Sequence, residues 1–167
     1  MMPAVTRPSP HTYRQVAGRF ATGVTVLTVA EPHGCTVSSF TSVSLEPLLV
    51  SVCLTVDSSL LRRLPDGHRF AVTILASHQR PLARHFADPR RAPGLAQFDG
   101  WAWRPGGYSA APLLSDALGW LECRVARRIP AGDHVIVLAE VHTVRCGTGN
   151  PLVHFDGNLV AGSDGLG

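Results

Sequence analysis

The segment Cys35-Thr36-Val37-Ser38-Ser39-Phe40-Thr41-Ser42-Val43-Ser44-Leu45-Glu46-Pro47 gathers six hydroxyl side chains just before the apolar run Leu48 to Leu54. A buried hydroxyl left without a partner costs roughly 1–3 kcal/mol, so ordinary core strands do not concentrate Ser and Thr this way. Small hydrogen-bonding side chains beside accessible backbone amides suit a flat, polar, phosphate-bearing ligand that the backbone must approach closely. A two-faced strand with Ser and Thr turned toward water accounts for the same pattern.

Several other chemistries are excluded. The chain has no lysine, and its formal charge of +3 comes entirely from arginine. There is therefore no lysine to form a Schiff base and none for a phosphate-binding loop. The arginines are scattered, with pairs only at Arg62-Arg63, Arg90-Arg91 and Arg127-Arg128. Nucleic-acid binding would require a clustered basic stripe. Cys35, Cys53, Cys123 and Cys146 contain no C-x-x-C pair, and the eight histidines show no ligand spacing, so no metal site is expected. Cys53 and Cys123 lie in apolar runs and read as small core residues.

A chain of 167 residues reads as one domain, 1–167, with residues 1–10 and 161–167 as flexible tails. Hydrophobic residues make up 45% and charged residues only 16%, which leaves much apolar surface on a monomer and points to a homo-oligomer. No apolar run approaches the roughly 20 residues of a membrane span. Met1 to Pro10 lacks the apolar core of a secretion signal, so the expected location is the cytoplasm.

The elements that must position these groups follow from periodicity. Ser9 caps a predicted helix whose Tyr13, Val16, Ala17 and Phe20 share one face before Gly23. Val24 to Ala30 is a β-branched strand, and Glu31-Pro32-His33-Gly34 turns the chain into the Ser/Thr segment. Leu48 to Thr55 and Arg69 to Leu75 are further strands, with a short helix at Ser58 to Leu64 between them. Ser77 is the expected cap of a second helix, His78 to Ala87. An aromatic-rich loop, Ala92 to Gly107, precedes two long strands, Leu118 to Arg128 and His134 to Arg145. In the second of these, Val135, Val137, Ala139 and Val141 face the core while His134, Glu140 and His142 lie opposite. Consecutive strands with short returns favour an antiparallel barrel.

Taken in order, these landmarks resemble the short-chain flavin reductases, the reductase components of two-component flavin-dependent monooxygenases. The resemblance runs from about Tyr13 to Gly157. It is carried by Phe20-Ala21-Thr22-Gly23-Val24-Thr25-Val26, the Thr36 to Pro47 block, Phe70 to Leu75, and Gln79 with Leu82-Ala83-Arg84 and Phe86-Ala87. It continues through Leu121-Glu122-Cys123, Gly132-Asp133-His134 and Pro151-Leu152-Val153, and ends at Phe155-Asp156-Gly157. It implies a mainly β fold, a split β-barrel of antiparallel Greek-key type with a few short flanking helices. It also implies a homodimer with FMN or FAD bound near the subunit interface.

The cofactor-binding residues expected on this basis are Thr36, Ser38, Ser39, Val52, Cys53, Leu54, Ser58, Ser59, Thr73, Gln79, Arg84, Phe155 and Asp156. Ser38, Ser39 and the Val52 to Leu54 backbone suit the polar edge of an isoalloxazine. Ser58, Ser59 and Arg84 suit its phosphate, although Ser58 also reads as a plain N-cap and Arg84 as a solvated surface arginine. By spacing alone His134 is a surface residue. The resemblance makes it the catalytic residue that positions NADH or NADPH.

Two departures stand out: Thr73 occupies a position where many relatives carry Asn, and Leu159 stands where an aromatic is expected. The expected function is NAD(P)H-dependent reduction of FMN or FAD, supplying reduced flavin to a separate monooxygenase. The rivals are a flavin-binding accessory protein without nicotinamide turnover and a split-barrel flavoenzyme acting directly on an organic substrate.

Overall fold

β-Branched and aromatic runs become strands, and they dominate the chain. The computed structural model describes residues 7–162. Helix α1 (Pro10–Ala17) is followed by strands β1 (Thr22–Gly23), β2 (Thr25–Val29), β3 (His33–Val37), β4 (Thr41–Leu45), β5 (Leu48–Thr55) and β6 (Arg69–Ile74). Helix α2 (Arg80–Ala87) precedes β7 (Trp103–Pro105), β8 (Pro112–Leu114), β9 (Gly119–Ala131), β10 (His134–Cys146), β11 (Leu152–Phe155) and β12 (Asn158–Ala161). Short 3-10 turns occupy Leu61–Arg63, Ser77–Gln79 and Gly94–Phe98.

Seven strands form one antiparallel sheet in the order β3-β2-β6-β9-β10-β5-β4. β3 and β4 are consecutive in the chain yet occupy opposite edges, joined only by Ser38, Ser39 and Phe40. In a flat sheet, six strand spacings of about 4.8 Å would separate those edges by roughly 29 Å. Four residue steps reach at most ~14 Å. The sheet must therefore roll until its edges face each other across a seam. No ladder joins β3 to β4, so strand pairing does not close the roll. Ser39 instead fastens the link to β5, continuing the β4–β5 register two residues before β4 begins. Ser39 Oγ accepts from the Cys53 N–H at 2.9 Å and donates to the Cys53 carbonyl at 2.9 Å.

The core lies inside the roll. Val50, Val52 and Leu54 of β5 and Val135, Val137 and Ala139 of β10 are buried on alternate positions and pack with Leu27, Val29, Phe70 and Val125. β2 is buried at all five positions, and its sequence Thr-Val-Leu-Thr-Val accordingly carries no charged or large polar side chain. A second cluster joins Leu82, Ala83 and Phe86 of α2 to Val24, Val26 and Phe98, so α2 covers one end of the roll.

Several elements differ from expectation. β9 runs through Pro130, so the predicted five-residue loop shrinks to Gly132-Asp133, with Gly132 at φ 67°. Pro130 is tolerated because β6 pairs with β9 only as far as Arg124, and beyond that point no ladder needs its missing N–H. α1 has the expected cap, with the Thr12 N–H bonded to Ser9 Oγ at 3.1 Å, but it ends at Gly18 and buries no residue. Tyr13, Val16 and Phe20 are 65%, 70% and 77% exposed.

The predicted helix at Ser58 to Leu64 contracts to the turn Leu61–Arg63, whose first N–H reaches Ser58 Oγ at 3.3 Å. Ser77 does not cap α2; it begins a 3-10 turn that Gln79 holds by accepting from the Ala76 N–H and donating to the Ser115 carbonyl. Pro10 already belongs to α1 and Ala161 to β12, while residues 1–6 and 163–167 lie outside the described residues.

The aromatic loop resolves into the β7–β8 hairpin. It is held by the buried Glu122, which accepts from the Tyr108 and Ser109 N–H groups and from the Ser109 and Thr143 hydroxyls. Burial pushes the Glu122 carboxyl up, and these four bonds outweigh it and hold it below its ordinary range.

Candidate functional site

A cavity of about 310 Å³ opens along the seam. β3 contributes Cys35, Thr36 and Val37, the link contributes Ser38 and Ser39, and β5 contributes Cys53, Leu54 and Thr55. Ser58 and His134 complete its lining. A neighbouring cavity of about 610 Å³ shares Cys35, Thr55 and Ser58 with it, so the two form one groove. The far part of that groove is lined by His33, Ser59, Arg62, Arg63 and Arg91.

Local packing fixes these walls. Thr36 Oγ1 donates to the Ala83 carbonyl at 2.6 Å, stapling β3 to α2. Gly34 cannot carry a side chain there, because a Cβ would stand 2.7 Å from the Phe86 ring. Gln97, fully buried, accepts from the Gly34 N–H at 2.7 Å and donates to the Pro32 and Gly94 carbonyls at 2.8 Å each. It thereby ties the loop carrying Arg91 to β3. Arg91 in turn donates to the carbonyls of Asp88 and Gly34.

The two halves of the groove differ in chemistry. In the larger half, none of the three guanidinium groups has a carboxylate within ion-pair distance among the described residues, although Asp57 also lines the cavity. Burial, followed by Arg63, Arg91 and Arg62, lowers His33 to about 4. At neutral pH it is uncharged and hydrogen-bonded to Ser59 Oγ at 2.9 Å.

In the smaller half, burial pushes the Cys35 thiol up against the opposing pull of Arg91, so it lines the groove as a neutral thiol. The Ser38 hydroxyl has no partner among the described residues. His134, its side chain 43% exposed, holds Asp133 Oδ1 through Nδ1 at 2.7 Å. That bond is the main reason the Asp133 carboxyl lies below its ordinary range. Nδ1 is therefore the donor and Nε2 remains available. The groove can hold a flat polar ring at one end and an anion at the other.

Residues 17–163 match the sequence profile of the flavin reductase like domain. The chain belongs to that family. Over 132 residues it is 49% identical to the NADH-dependent FAD reductase of Streptomyces globisporus, covering 78% of this chain and 72% of that protein. It is 36% identical over 150 residues to the reductase component of the Rhodococcus opacus 4-nitrophenol 4-monooxygenase/4-nitrocatechol 2-monooxygenase, covering 88% and 78%. The solved structure of BorF, the flavin reductase component of a bacterial two-component tryptophan halogenase, superimposes with a TM-score of 0.88 at 36% identity, covering 93% of this chain and 99% of that one.

Of the residues expected from the flavin reductase resemblance, the seam cavity brings together Thr36, Ser38, Ser39, Cys53, Leu54, Ser58 and His134. Ser59 lines the adjoining cavity. Val52 is a core residue, and Gln79 is occupied in holding the turn before α2. Thr73 is fully buried in β6 with its hydroxyl unbonded. Arg84 is exposed on α2. Phe155 and Asp156 lie at the β11–β12 turn, where Asp156 meets Arg19 at 3.5 Å. None of these six lines either cavity.

The hydroxyls of Thr36 and Ser39 are already engaged with backbone, so within the groove they act as wall-setting groups. Sequence reading did not assign His33, Arg62, Arg63 or Arg91 to the site. The available signal was the two arginine pairs.

Proposed function

We propose that this flavin reductase family member uses NADH or NADPH to reduce FMN or FAD in the seam groove and releases the reduced flavin to a separate monooxygenase. The observation that carries this reading is the joined groove itself, with free hydroxyl and backbone at the ring-sized end and, at the other, three guanidiniums that have no carboxylate partner among the described residues. Isoalloxazine needs donors and acceptors along one edge, and the flavin phosphate needs fixed cations. The donor set therefore fits the ligand. On this reading Ser38 and the backbone of β5 meet the ring, and Arg62, Arg63 and Arg91 hold the phosphate in place of the Arg84 expected from sequence.

With both molecules in the groove, they would themselves supply the hydride chemistry between nicotinamide and flavin. The chain supplies orientation and electrostatics. His134, fixed by Asp133 at the mouth of the groove, orients the nicotinamide and can offer Nε2 to developing negative charge.

The rolled sheet supports the split-barrel reading. The exposed Tyr13, Val16 and Phe20 support a homodimer in which α1 is covered. Among the described residues, no helix is long and apolar enough to cross a membrane, and all four cysteines are free thiols, as a reducing cytoplasm would keep them.

The test is anaerobic mixing of purified protein with NADH or NADPH and excess FMN or FAD, following flavin absorbance. Flavin bleaching with turnover supports the reading. Flavin binding without bleaching would favour the accessory protein instead.

A further inference from the structure

A second groove lies at the opposite end of β10 from His134, roughly 35 Å away along the strand at about 3.3 Å per residue. Two hollows of about 420 and 430 Å³ share Arg104, Leu113, Trp120 and Arg145, and so form one depression. The second hollow is mainly apolar, with Leu113, Val144 and the Trp120 ring in its lining, and the first is the more polar of the two. Trp120 forms the common wall, and its ring is held because Nε1 donates to the Leu114 carbonyl at 2.6 Å. Arg145 pairs with Trp120 across the β9–β10 ladder, with its guanidinium 5.7 Å from the ring centre.

The charge balance defines the occupant. Neither Arg104 nor Arg145 has a carboxylate within ion-pair distance among the described residues. Two acidic residues border the depression. Both Glu122 oxygens are occupied by its four hydrogen bonds. Asp116 remains exposed at the rim of the first hollow and disfavours a dianion there. Two forked cations beside a fixed indole and a mainly apolar hollow match a planar ring bearing one carboxylate. We infer that this depression, lined by Arg104, Trp120 and Arg145, is a binding site for a small aromatic monocarboxylate, separate from the seam groove.

The test is benzoate titration of the full chain carrying ¹⁵N-labelled tryptophan, with the Trp120 indole signal identified by its loss in Trp120→Phe. A saturable shift of that signal, unchanged by saturating FMN, is the expected result. Benzyl alcohol, which lacks the charge, and cyclohexanecarboxylate, which lacks the aromatic face, should each bind more weakly. Arg145→Met should weaken benzoate roughly tenfold or more, the loss of one charge-assisted contact, and Arg104→Met provides an independent second variant. Arg84→Met, outside both grooves, should leave the affinity unchanged. No saturable shift by about 10 mM, well above the range of a weak but specific ligand, would overturn the site. So would displacement of benzoate by FMN, or wild-type affinity in both arginine variants.

Discussion

Replacing Arg63 with Met keeps most of the side-chain length and removes one of three cations from the larger half of the groove. In the structure Arg63 is half-buried and donates one NH group to the Ser59 carbonyl at 2.8 Å, which leaves its other donors for an anion. A hydrogen bond to a charged group contributes about 1.5–3 kcal/mol. Partial exposure reduces that, and Arg62 and Arg91 keep the site cationic. The expected loss is about 1–2 kcal/mol, or roughly 5–30-fold in Kd for FMN.

Riboflavin, which lacks the phosphate, should lose less than about twofold, well below the tenfold that 1.4 kcal/mol represents. Arg84→Met should change neither ligand, because that side chain is exposed and lines neither half. Fluorescence titration of all three proteins with both ligands measures this directly. Added salt should narrow the gap between FMN and riboflavin in the wild type. Equal losses for FMN and riboflavin in Arg63→Met would refute the phosphate assignment. So would a larger FMN loss in Arg84→Met than in Arg63→Met.

Three further outcomes are expected. His134→Ala should retain FMN affinity while raising the KM for NADH, lowering kcat, or both, by about tenfold or more; steady-state constants equal to wild type would make His134 a surface residue. Gln97→Leu strands the buried Gly34 N–H and removes the donor to the more accessible Pro32 and Gly94 carbonyls, and should cost about 1–3 kcal/mol, seen as a lower urea midpoint at unchanged slope; a loss under about 0.5 kcal/mol, the size of a neutral surface change, would contradict it.

The third outcome concerns pH. Because His33 is lowered to about 4 by burial and by its arginines, a bound phosphate should raise it. Between the free and bound values, FMN binding then takes up a proton and tightens as pH falls. The phosphate's own ionisation near pH 6 is common to wild type and His33→Gln. Calorimetry in two buffers near pH 5 should therefore show greater proton uptake by the wild type, and equal uptake would count against His33 facing the phosphate.

Strands were legible because their signal is local. Leu48–Thr55 was read to the residue, and the alternation of β10 was recovered at Val135, Val137 and Ala139. Helix α1 shows the limit of that logic. Its apolar residues form a stripe, yet among the described residues nothing covers it. The ring-sized half of the groove was also legible, since most of it comes from one contiguous Ser/Thr segment and the strand that follows. The arginine-lined half is not. Arg63 reaches it from a 3-10 turn and Arg91 from the loop after α2, brought together by a Gln97 whose three backbone contacts leave no pattern in the sequence. Arg84 is exposed and lines neither half of the groove, because Leu82, Ala83 and Phe86 turn the other side of α2 inward.

The three-residue link between β3 and β4 has a consequence for biosynthesis. Those two strands emerge from the ribosome one after the other, but the seam between them exists only once the sheet has rolled. The roll requires β10, which lies between β9 and β5 and, among the described residues, is the only strand connecting the two halves. Until residues 134–146 are available, β2, β3 and β6 on one side and the β4–β5 hairpin on the other have no common partner. A nascent chain therefore carries every hydroxyl and arginine of the groove well before it has a groove. Translation arrested before β10 should give chains that do not retain flavin, and release of only a few more strand residues should restore binding abruptly rather than in proportion to length.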